Sequence, residues 1–83
     1  MNELITKTIS SLKELADEYG LIFHASDNGQ VIMFIKHEVG ICDPAFTLII
    51  DYDVKQVSIT NMGKAVELHQ LESCVRLLCE IIA

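Results

Sequence analysis

The chain has 83 residues, enough for one domain, with 51% apolar residues and twelve Asp and Glu against six Lys and Arg, a formal net charge of -6. That charge argues against DNA, RNA or an anionic membrane as direct ligands, since all three attract cations, and the apolar fraction argues against disorder. A domain of this size buries only about 60 to 65% of the surface its unfolded chain exposes, so either the core is efficient or a partner covers part of the apolar surface.

Residues 2 to 19 read as a helix, because Ile5, Ile9, Leu12, Ala16 and Tyr19 form one stripe at helical spacing. Asn2 is placed to cap its start and Gly20 to end it. The stretch mixes charges with its apolar residues and has no basic segment followed by a continuous apolar run, so it is not a signal peptide. No apolar run reaches the roughly 18 residues of a membrane helix, and a cytoplasmic location is expected.

"LIFHAS", "DNGQ" and "VIMFIKHE" predict a hairpin, with Asn28-Gly29 as a type I′ turn that needs positive φ at both positions. Residues 39 to 45 carry the breakers Gly40, Asp43 and Pro44. "FTLIIDY" predicts a third strand, "DVKQ" a turn, "VSIT" a fourth strand and "NMGK" another turn. Leu68, Leu71, Val75, Leu78 and Ile82 form a helical stripe, so a second helix starts near His69, and residues 64 to 68 are open between strand and helix. The expected fold is α+β in the order α-β-β-β-β-α: an antiparallel four-stranded meander with both helices on one face.

Chemistry-bearing side chains crowd in "IKHEVGICDPAF", where His37, Glu38, Cys42 and Asp43 lie within seven positions. Zinc sites use four ligands, commonly in closely spaced Cys or His pairs, and no such pair occurs; His24 or His69 would have to be recruited from elsewhere. A Cys42 nucleophile would need a depressed pKa, and Glu38 and Asp43 raise it. The stretch is therefore expected to be a bend, with no catalytic site, metal or cofactor. Three cysteines without paired spacing, Cys42, Cys74 and Cys79, suggest free thiols.

Two surfaces stand out. Glu14, Asp17 and Glu18 end the first helix, where like charges repel and negative charge opposes the helix dipole. With Glu38 and Asp43 they are expected at one end of the sheet, facing the cations of a partner, while Asp27, Asp51 and Asp53 gather at the other end. "VIMFI" and "LII" are apolar on both faces, so Ile32, Phe34 and Ile49 are expected to face outward into a homodimer interface. The acidic balance leads to the expectation of a non-enzymatic inhibitor, a nucleic-acid mimic that occupies a basic protein or nucleoprotein surface; small acidic anti-CRISPR and antirestriction proteins work this way, an analogy of charge and element order that no motif of this chain carries. A self-associating structural or regulatory module is the alternative.

Overall fold

A computed structural model describes residues 3–36, 44–60, 63 and 65–82. Helix α1 runs Glu3–Glu18, followed by strands β1 (Ile22–Ala25), β2 (Val31–Ile35), β3 (Pro44–Asp51), β4 (Gln56–Ile59) and β5 (Ala65–Glu67). A short 3-10 turn (Leu68–Gln70) leads into α2 (Leu71–Ile82). The fold is α+β: the strands form one antiparallel meander in the order β1-β2-β3-β4-β5.

Helix α1 follows its apolar stripe. Leu12, Leu15 and Ala16 are buried, and Ile9 and Tyr19 pack against them. It ends in a Schellman motif: the Leu21 N–H donates to the Ala16 carbonyl (2.8 Å) and the Gly20 N–H to that of Asp17 (3.2 Å), with Gly20 at φ +69. Leu21 itself is buried, the apolar contact that usually accompanies this cap.

The hairpin forms where expected, but its turn is not type I′. Asn28 has no positive φ; only Gly29 does, at +70. The Gly29 N–H closes a turn onto the Ser26 carbonyl (2.9 Å), and the Ser26 N–H meets the Val31 carbonyl (2.9 Å). The Asn28 carboxamide oxygen accepts from the Gln30 N–H (3.0 Å) and the Ser26 hydroxyl (2.8 Å), so a local side-chain network replaces the paired left-handed residues.

The sheet has five strands rather than four. Residues 65 to 67, within the stretch left open between strand and helix, pair with β4, Val57 opposite Val66. An edge strand of three residues with one half-buried side chain carries too little apolar periodicity to stand out in a sequence.

The phase of β2 is the reverse of the expectation. Ile32 and Phe34 are completely buried, not outward-facing. Phe23, Phe34 and Phe46 align across β1, β2 and β3 on the buried face: the Phe23 and Phe34 rings meet edge-on at 5.7 Å, and those of Phe34 and Phe46 stack at 4.7 Å. Leu48, Ile50, Val57 and Ile59 continue that face and form one core cluster with Leu12, Leu15 and Ala16 of α1 and Leu71, Val75 and Cys79 of α2. The opposite positions hold the exposed residues: Ile22 (44%), Val31 (39%) and Ile49 (54%). Of the three residues expected in a dimer interface, only Ile49 stands on the exposed face.

Candidate functional site

Glu14, Asp17 and Glu18 are exposed on the last turns of α1, and Glu38 and Asp43 lie outside the described residues. The register carries the chain from the C-terminus of α1 through Gly20 and Leu21 into Ile22, which pairs with Ile35 at the end of β2. The acidic turns of α1 therefore sit at the end of the sheet where β2 stops.

The helix physics there is less adverse than the sequence implies. Glu18 Oε2 accepts from Arg76 Nη1 of α2 at 2.6 Å. The same nitrogen lies 3.4 Å from the Tyr19 hydroxyl, which donates to Glu80 Oε1 at 3.2 Å. Arg76 thus offsets Glu18, and the Glu18 carboxylate first, then the Tyr19 hydroxyl, hold the guanidinium pKa above its ordinary value. Both partners are about half exposed, so the pair contributes modestly to stability. Glu14 and Asp17 form no ion pair among the described residues. Glu14 lines a hollow together with Glu18, Glu72 and Arg76, of which only Glu18 pairs with the guanidinium among the described residues.

Of the second acidic group, Asp51 and Asp53 share the turn after β3, and Asp27 lies in the turn after β1 at the same end of the sheet. The Ile50 N–H donates to the Gln30 carbonyl (2.7 Å), which holds the turn after β1 against β3, beside Asp51. Asp51 Oδ1 accepts from the backbone N–H groups of Asp53 (3.0 Å) and Val54 (3.3 Å) and shapes the turn into β4. Asp51 and Asp53 line a groove on the exposed sheet face, with Val31, Ile49, Val54, Gln56, Ser58 and Ala65. The sequence reading missed this groove because it took the opposite face of β2 to be open. The signal was present in the neighbours: His24 and Thr47, the cross-strand partners of Met33, and Ser58, the partner of Ile49, are polar and mark the wet face.

The histidines do not assemble. His24 stands on edge strand β1 and His69 follows the other edge strand, β5. Four strand spacings of about 4.8 Å separate those two edge strands by roughly 19 Å across the sheet. His69 Nδ1 instead lies 3.1 Å from Glu67 Oε2, on the surface. Among the described residues no group of three His, Cys, Asp or Glu is placed to hold a metal ion, and His37, Cys42 and Asp43 lie outside them. Cys79 is a free thiol, and burial pushes its pKa up. No described helix is long and apolar enough to cross a membrane. Compared with family models, curated proteins and solved structures, the chain matches none.

Proposed function

We propose that this chain is a non-enzymatic binding protein that occupies a basic, nucleic-acid-binding surface of another protein, in the manner of small acidic anti-CRISPR and antirestriction inhibitors. In this reading both helices layer over the buried sheet face, and the C-terminal turns of α1 present Glu14 and Asp17 to the partner's Lys and Arg. The observation that carries it is the pair of exposed carboxylates, Glu14 and Asp17, without an ion pair among the described residues beside a Glu18 that has one. Carboxylates in that position speed association with a basic groove and lose their effect as salt shortens the Debye length to about 3 Å at 1 M.

The test is capture of the partner by wild type and by a Glu14→Lys, Asp17→Lys variant, at low salt and at 1 M. Glu18 is left intact so that the Arg76 bridge survives. The variant is expected to lose capture while keeping its circular dichroism spectrum. Capture equal to wild type reduces the acidic end to a solvated surface.

Self-association through the exposed sheet face is the second reading, favoured by the exposure of Ile22, Val31 and Ile49. Sedimentation at micromolar concentration tests it, and a monomer that stays monomeric there argues against it.

A further inference from the structure

The exposed sheet face carries a built row. Val31 pairs with Ile49, Ile49 with Ser58, and Ser58 with Ala65, so the four lie in line across β2, β3, β4 and β5. Three strand spacings make that line about 14 Å long. Val31, Ile49 and Ala65 are all exposed, Val54 (62% exposed) rises beside them from the turn after β3, and the groove they border takes up about 500 Å³. The next row toward the turns is Asp51, Gln56 and Glu67, linked by the same register. Asp51 and Asp53 line the groove, and among the described residues no Lys, Arg or His does.

We infer that this groove is a docking surface for a basic amphipathic helix of a partner protein. The inference rests on the reading above, of a protein that binds basic partners, and gives it a second contact face. A span of 14 Å matches nine to ten helical rises of about 1.5 Å, so apolar anchors on one helix face at i, i+3 and i+10 reach Val31, Ile49 and Ala65. Lys or Arg on the flank of that helix meets Asp51, Asp53 and Glu67. Of these, Glu67 already faces His69, and Asp51 uses one oxygen on its own turn, which leaves Asp53 as the carboxylate with no such engagement among the described residues. Charge decides the occupant. A second copy of this chain adds another net charge of -6 and a second acidic row to the same face. A basic helix neutralises the row instead.

The test uses three synthetic 14-residue peptides against isotopically labelled protein. The first is a Leu/Lys peptide with Leu on one helical face; the second has the same composition in an order that spreads Leu around the helix; the third replaces each Lys of the first by Glu. The expected result is saturable binding of the first alone, with amide shifts at Val31, Ile49, Asp53, Val54 and Ala65. Ile49→Gln is expected to weaken it about tenfold, the loss of roughly one buried aliphatic side chain, and Asp53→Asn severalfold, with a shallower salt dependence. Both side chains are exposed, so these variants keep the fold. Equal binding of the spread-Leu peptide, shifts confined to α1, or indifference to Ile49→Gln overturns the inference. A salt-insensitive dimer whose interface covers the same amides also overturns it, because the occupant is then a second copy. Loss of partner capture by the α1 variant with retention by Ile49→Gln leaves the proposed function standing and removes this surface from it.

Discussion

The Tyr52 hydroxyl donates a 2.7 Å hydrogen bond to the Gly29 carbonyl, which ties the turn after β3 to the turn after β1. The two turns are 23 positions apart in the chain and adjacent in space because the meander places β1, β2 and β3 side by side. Gly29 is buried there, and a Cβ on it would lie 2.7 Å from Ile5 Cγ2 of α1 and 3.1 Å from the Tyr52 oxygen. One glycine thus lets a turn, a helix and a tyrosine meet.

Gly29→Ala is therefore expected to cost more than Gly20→Ala. Both glycines have positive φ, but a Cβ at Gly20 meets nothing within 4 Å. The left-handed backbone alone costs about 1 to 2 kcal/mol, and crowding against Ile5 adds roughly 1 to 3 kcal/mol at position 29. Urea unfolding of both variants checks the order; equal midpoints would show that α1 yields freely over the turn.

Burial holds the Tyr52 hydroxyl pKa above its ordinary 10.0, so the folded state favours the neutral phenol. A group with a raised folded pKa stabilises fully below its unfolded value, and the benefit is lost as pH rises through the folded one. Stability is expected to fall above about pH 10, and Tyr52→Phe to flatten that fall at a cost of about 0.5 to 1.5 kcal/mol at neutral pH for the lost hydrogen bond. Thermal melts from pH 7 to 11 on wild type and variant measure both.

Ile32 and Ile49 sit on opposite faces of the sheet, one fully buried and the other 54% exposed. Ile32→Val is expected to destabilise by about 0.5 to 1.5 kcal/mol, while Ile49→Val changes stability by less than about 0.5 kcal/mol. Denaturant midpoints decide. The reverse order would restore the face assignment that the β2 sequence first suggests.

Cys79 is buried in the core and its thiol pKa is raised by burial. Only the thiolate is nucleophilic, so iodoacetamide at pH 7.5 is expected to leave Cys79 unmodified in the native protein and to label it in urea. Peptide-resolved mass spectrometry reads the site. Rapid native labelling would show that the end of α2 opens readily.

Local chemistry settled α1 before any tertiary contact was known. A stripe from Ile5 to Tyr19 and a glycine at position 20 specify a helix and its stop, because spacing and positive φ are properties of the chain itself. The hairpin around Asn28-Gly29, the strand at Phe46 and the start of the last helix near His69 were legible for the same reason. Charge totals, which depend on composition alone, argue against nucleic acid and anionic membrane as direct ligands and name no partner. The face of β2 was not legible within "VIMFI": a period of two has no phase when both sets of residues are apolar, and it was fixed by register against Phe23, Phe46 and Leu48. The Glu18–Arg76 bridge spans 58 positions, and the row from Val31 to Ala65 spans four strands. Both exist only because folding brings distant segments together, so the carboxylates that share one helix, Glu14, Asp17 and Glu18, could be read from the chain and the groove could not.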